Sequence, residues 1–199
     1  MPVYFKGLML GLSLIMALGP QNVFLIRQGA MRQHAMLSAI ICFMSDLILI
    51  TASVTGVHQL LKFHPGVQIW LIGLGSAFLA YYGLKTLKQA FSTAPSLQKE
   101  QQSATSRLQI IVLALGFSLL NPHAIIDSLV LIGGGSAHFP DHRQAFLLGV
   151  LTSSLLWFST LTATAHYFSE RLIQPKIWRR VEFFSGVLMI YLSVKLIWH

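Results

Sequence analysis

From Gly7 to Ile26 the chain carries no charged residue, and in the middle of that run stand Leu18-Gly19-Pro20-Gln21-Asn22. Proline lacks a backbone donor and clashes with the preceding turn, so a helix in an apolar surround tolerates it only where the freed carbonyls find other partners. The amides of Gln21 and Asn22 stand beside the break and can supply them. A second apolar run repeats the arrangement at Leu119-Leu120-Asn121-Pro122-His123. Two interrupted, amide-bearing apolar segments in corresponding halves of a short chain are the pattern of a transporter's central site.

Only 10% of the 199 residues are charged and 54% are hydrophobic. A soluble domain carries about 25% charged residues, so this chain lacks the polar surface to stand in water and reads as an all-α integral membrane protein. Its net charge of +8 would raise nucleic acid as a partner in a soluble protein. Here the cations fall between apolar runs, where they act as topology signals, and no nucleic-acid partner is expected. The apolar stretch Leu8 to Leu18 is preceded only by Lys6, and cleavage at its small-residue end would fall directly before Pro20, so no signal-peptide removal is expected.

Six apolar runs are long enough to cross a bilayer as helices of roughly 20 residues: Tyr4 to Ile26, Ala35 to Val57, Val67 to Leu84, Leu108 to Gly133, Gln144 to Phe168 and Phe183 to Trp198. The polar stretch 90–107 separates them into two sets of three within one membrane domain, 1–89 and 108–199. Leu79 to Lys85 lies over Met189 to Lys195 without a gap, which with the paired breaks points to an internal repeat. Three spans is an odd number, so the copies must be inverted. The expected architecture is therefore six transmembrane helices forming two inverted three-helix repeats. Gly7 and Gly11 form a small face for close helix contact. Gly133-Gly134-Gly135 and the following residues to His142 read as a turn. In the fifth run, Thr152, Ser159, Thr162 or Ala163, and His166 form a polar stripe expected to face protein. Ten Lys and Arg residues flank the loops after spans one, three and five, against four on the other side, which places those loops in the cytoplasm.

The acids locate the chemistry. An ionised carboxylate in mid-bilayer costs several kcal/mol or more on any scale, about 2.5 at the least, so Asp46 must face a cavity or the bundle interior, as a helix lock or as a cation or proton site. Ser38, Cys42, Ser45 and Ser53 share or border its face. Asp127 follows Pro122 by five residues, and two carboxylates from different halves can flank one site. Asn22 and Asn121 either repair the broken backbone or present their amides to an amino acid's ammonium and carboxylate; the two roles are compatible. His123 follows Pro122 as Gln21 follows Pro20, and can join a proton path. The remaining histidines have no metal-ligand spacing, a single cysteine excludes a thiolate cluster, and no phosphate-binding glycine loop is present. Neither metal nor cofactor is expected, and no nucleophile, base and orienting group can be assembled into an enzyme site.

Taken together, Gly19-Pro20-Gln21-Asn22-Val23-Phe24 with Arg27-Gln28-Gly29, then Cys42-x-x-Ser45-Asp46-Leu47, then Leu120-Asn121-Pro122-His123 with Asp127, closely resemble the LysE/ArgO family of bacterial basic amino acid exporters. The motifs run in family order and the resemblance spans essentially the whole chain. It implies export of L-lysine or L-arginine across the inner membrane, driven by a proton or electrical gradient, with Asn22, Asp46, Asn121 and Asp127 at the functional positions. The implied partners are a small basic amino acid, protons and the lipid bilayer, and a homodimer is compatible with this. The chain departs from the family at Phe117-Ser118-Leu119, where a Thr-Trp pair is common, and at Ile125, where an aromatic is common, so lysine versus arginine does not carry over. Export of a neutral amino acid such as threonine or homoserine, and a non-transporting membrane assembly role, are the alternatives.

Overall fold

The computed structural model describes residues 2–16, 19–55, 65–92, 106–121, 125 and 127–198. All regular structure among them is helical: α1 (Val3–Ile15), α2 (Pro20–Met31), α3 (Ala35–Val54), α4 (Pro65–Phe91), α5 (Arg107–Leu119), a π-helical segment (Asp127–Ile132) running into α6 (Gly133–Ala137), a 3-10 turn (Pro140–His142), α7 (Arg143–Tyr167), α8 (Ser169–Leu172) and α9 (Pro175–Ile197). Most of the stretch expected as a linker, 93–105, lies outside the described residues.

The expected first break is present. Gly19 is extended, with φ −122° and ψ 175°, and Pro20 takes the first helical position, where its missing N–H costs nothing. The axes of α1 and α2 differ by 79° across it. A three-residue turn joins α2 to α3 with Arg32 and His34 both left-handed, at φ 54° and 51°. Arg32 is anchored there by its Nε, which donates to the Ser169 hydroxyl at 2.8 Å.

α3 and the segment Pro140–Tyr167 are each long and apolar enough to cross a membrane alone, and the bent pair α1 and α2 can together make a third span. With this composition the chain is an integral membrane protein. Run six proves longer than its apolar core: α9 starts at Pro175 rather than Phe183 and, at 23 residues, is about 35 Å long. Gly133 to Ala137 corrects the expected turn, because these residues continue as helix. Gly135 has a packing reason to be glycine: a Cβ there would lie 3.1 Å from both Leu10 and Phe146.

Packing between helices relies on small residues, as it must where lipid tails remove the hydrophobic drive between helices. α1 lies on α7 through Gly7, Gly11 and Gly149, each touching backbone or serine of the facing helix: Phe146 O, Ser153 Oγ and Tyr4 O. α4 crosses α9 at Gly83 and Gly186. A Cβ on either would come within 3.2 Å of the other's carbonyl oxygen, and beside this contact Ser193 Oγ donates to Ser76 O at 2.9 Å. α3 packs on α2, α5, α7 and the π segment. Its buried serines Ser38, Ser45 and Ser53 each donate to the carbonyl four residues back, so none demands an interhelical partner.

The stripe expected to face protein on α7 is met in part: Thr162 is buried and Thr152 half-buried. Ser159, Ala163 and His166 are exposed, while Ser153, Ser154, Phe158 and Thr162 are buried against α1, α2 and α3. The central apolar core gathers Phe24, Leu25, Cys42, Leu79, Ile110, Phe117, Phe158 and Met189 from six helices. Phe117 is its hub, with ring centroids of Phe24, Phe78 and Tyr82 at 5.4, 5.0 and 5.2 Å. Cations collect at one end of the bundle, where α2, α4 and α7 end and α5 and α9 begin: Arg27, Lys85, Lys88, Arg107, Arg179 and Arg180.

Candidate functional site

The site forms where the first break meets α3, α5 and α7. Pro20 at the start of α2 fixes the direction of the next two side chains, and both are amides. Gln21 Nε2 donates to Ser118 Oγ at 3.0 Å, which ties the start of α2 to the last turn of α5, immediately ahead of the second break. The Cys42 thiol lies against the same pair, buried as the expected small filler. The Gln21 side chain also reaches the carboxylate of Asp46.

Asp46 is partly buried near the middle of α3, and its Oδ2 accepts a 2.8 Å hydrogen bond from Ser154 Oγ on α7. Its partners are thus a hydroxyl and an amide, both neutral. Neutral donors hold a carboxylate in place without cancelling its charge, so Asp46 keeps the capacity to take a cation or a proton. A surrounding of apolar core on the same helices raises the strength of any such interaction well above its value in water.

Asn22, at 4% exposure, closes the first break. Its Nδ2 donates to Ile15 O at 2.9 Å, satisfying a carbonyl at the C-terminal end of α1, and its Oδ1 accepts from Trp157 Nε1 of α7 at 3.2 Å. This geometry is backbone repair. Asn121 stands at the second break, 6% exposed, and its backbone carbonyl accepts from Ile125 N at 3.1 Å. Its side-chain Oδ1 is buried and meets no donor among the described residues.

Sequence reasoning placed Asp46, Gln21, Asn22 and Asn121 among the candidates, and the structure brings Asp46 and Gln21 together. Pro122 and His123 lie outside the described residues. Asp127 opens the π-helical segment that packs on α3, and the position of its carboxylate lies outside the described structure. Three further residues complete the arrangement: Ser118, Ser154 and Trp157. Ser118 was noticed only as a departure from the family pattern. The other two contacts join residues 108 and 135 positions apart, and no local pattern encodes such a pairing.

Comparison with known proteins gives one consistent likeness. The family model described as LysE type translocator matches residues 12–199. The lysine exporter LysE of Corynebacterium diphtheriae is 34% identical over the whole of both chains. The arginine exporter protein ArgO of Pectobacterium carotovorum is 36% identical, covering 99% of this chain and 97% of that one. ArgO of Klebsiella pneumoniae is also 36% identical, over 97% and 92% of the two chains. No solved structure matches.

Proposed function

The chain belongs to the LysE type translocator family, and from that premise we propose that it exports L-arginine and/or L-lysine across the bacterial inner membrane in exchange for protons. It is a transporter, not an enzyme. A basic amino acid zwitterion carries one net positive charge, and moving it outward against an interior-negative potential costs about 2.3 kcal/mol per 100 mV. Exchange for one inward proton cancels that charge movement.

The observation that carries the reading is the hydrogen bond from Ser154 to Asp46. Laying α3 on α7 with an offset of 108 residues pairs five of the six buried residues of α3 with buried positions: Ser38 with Phe146, Cys42 with Val150, Ser45 with Ser153, Ile50 with Phe158 and Val54 with Thr162, while Ser53 falls on the half-buried Leu161. In that register Asp46 falls on Ser154, so the bond would join a residue to its own counterpart, as a contact on the axis of an inverted repeat does, and this supports the reading. Midplane sites at the interface of inverted repeats are where alternating access operates.

The outer pair of helices supports the same architecture of six spans in two inverted repeats, 1–89 and 108–199. Gly73 to Lys85 and Phe183 to Lys195, 110 residues on, have the same degree of burial at each of 13 positions. Exchanging the halves turns the contact of Gly83 with Gly186 into that of Ser193 with Ser76, and both contacts are made. The cation-rich end then faces the cytoplasm.

In the cycle, ionised Asp46 pairs with the guanidinium or ammonium of the substrate while the site is open inward. Asn121 offers its oxygen to the α-ammonium, Asn22 holds the first break, and Asp127 approaches on the segment packed against α3. After reorientation, a proton arriving from outside neutralises the carboxylate and releases the substrate.

The test is efflux of labelled arginine, lysine and threonine from proteoliposomes under an imposed proton gradient. Arginine and lysine should leave faster when the gradient favours inward proton movement. Asp46→Asn should lower their efflux by roughly 100-fold, since removing one member of a buried charge pair costs about 2–5 kcal/mol. Threonine leaving faster than either would replace the substrate class. Basic efflux indifferent to the proton gradient would remove antiport.

A further inference from the structure

A second polar site lies toward the cation-rich end, beyond the aromatic hub. The N-terminal end of α9, the C-terminal ends of α2 and α4 and the start of α5 enclose a cavity of about 250 Å³, close to the lower bound of about 300 Å³ for small-ligand pockets. Its wall holds Glu182, one of six acidic residues in the chain and only 2% exposed. Trp178, one turn earlier on α9, donates its indole N–H to Glu182 Oε1 at 2.8 Å, which fixes the carboxylate's orientation. Arg27 and Lys85 line the same space, the latter with its ammonium 5.8 Å from the Tyr82 ring centroid. Gln89 contributes a buried Oε1 that meets no donor among the described residues.

Protein interiors leave few voids larger than a water molecule, and buried acceptors are seldom left unpaired. A void lined by an anchored acid, two cations and an unsatisfied amide oxygen is therefore shaped for a polar guest. The sign pattern says which one. An α-amino acid with a cationic side chain offers a carboxylate to Arg27 and Lys85 and donors to Glu182 and Gln89.

We propose that this cavity is a loading site for the basic amino acid, separate from Asp46 and occupied before the substrate reaches it. The proposal rests on the reading of the chain as a basic amino acid exporter. Phe24, Tyr82 and Phe117 form the partition: all three line the cavity, while Ser118, next to Phe117, belongs to the cluster of Gln21 and Asp46. The substrate passes from Glu182 to Asp46 when this aromatic set parts.

Equilibrium binding of labelled L-arginine to the purified full chain separates the two sites. Asp46→Asn should keep one saturable site, and Glu182→Gln added to it should weaken that site at least about tenfold through loss of the anionic partner. In the otherwise unchanged chain, Glu182→Gln, which preserves an acceptor for Trp178, should raise the export KM about tenfold and leave kcat within about twofold. Lys85→Gln provides a check independent of the buried acid: it should weaken L-arginine but not agmatine, which has no carboxylate. Complete loss of arginine binding in Asp46→Asn, or an unchanged KM in Glu182→Gln while the wild-type chain exports arginine, overturns the loading site alone. Failure of the wild-type chain to export either basic amino acid overturns the exporter reading and the loading site together.

Discussion

The two helix breaks carry the same residue types, an asparagine beside a proline, and are finished differently. At the first, both ends of the Asn22 amide are committed, one to the Ile15 carbonyl and one to the Trp157 indole. At the second, Asn121 is buried almost as deeply, yet its Oδ1 faces no donor among the described residues. An unsatisfied buried acceptor costs about 1–3 kcal/mol, a cost that a donor on the proposed substrate would relieve. The Asn22 amide is thus a fixed corner and that of Asn121 an open one.

The largest effect that would sharpen this contrast is on stability. Asn22→Ala orphans two part-buried groups, the Ile15 carbonyl and the Trp157 indole, so thermal unfolding in detergent without substrate should show a drop of about 1–3 kcal/mol in all. Asn121→Ala removes an acceptor without a partner among the described residues, so relief of its desolvation cost of about 1–3 kcal/mol offsets the packing lost and stability should fall less than in Asn22→Ala, while export at low substrate falls roughly tenfold through KM. Equal stability losses in the two variants would break the comparison, because both asparagines would then be corners. Smallest is the link between the breaks. Ser118→Ala removes the bond from Gln21 and should cost about 0.5–1.5 kcal/mol, read from the same unfolding curves. A loss as large as that of Asn22→Ala would mean that the breaks are held to each other and not to their own helices.

Where local chemistry dictates the conformation, the sequence was informative. Pro20 after an extended Gly19 can only start a helix, and Gly7 and Gly11 do form the close face toward α7. α3 begins at Ala35, as its apolar run predicts. The likeness to basic amino acid exporters, drawn from the motifs around Asn22, Asp46 and Asn121, agrees with relatives that match over the full chain. The stripe on α7 misled in part, for a physical reason. Thr152 donates to the carbonyl of Leu148, four residues back, at 2.7 Å. A hydroxyl satisfied by its own helix faces out as easily as in, so small polar residues on such a helix do not mark the buried side. Glycines 133 to 135 read as a turn because their intrinsic preference disfavours helix, and tertiary contact at Gly135 overrides it. Glu182 escaped notice because it lies one residue before the apolar run that ends the chain, on a part of α9 that hydropathy leaves out.

The serines of α3 have a mechanical consequence. Ser38, Ser45 and Ser53 are saturated by their own helix, so the face they form is a greased rail, with no polar grip on the helices beside it. Against that rail, the bond from Ser154 to Asp46 is a single catch between α3 and α7 among the described residues. If a cation or proton draws the carboxylate away, as the proposed cycle requires, the catch opens and the two helices have no other side-chain bond between them to break among the described residues.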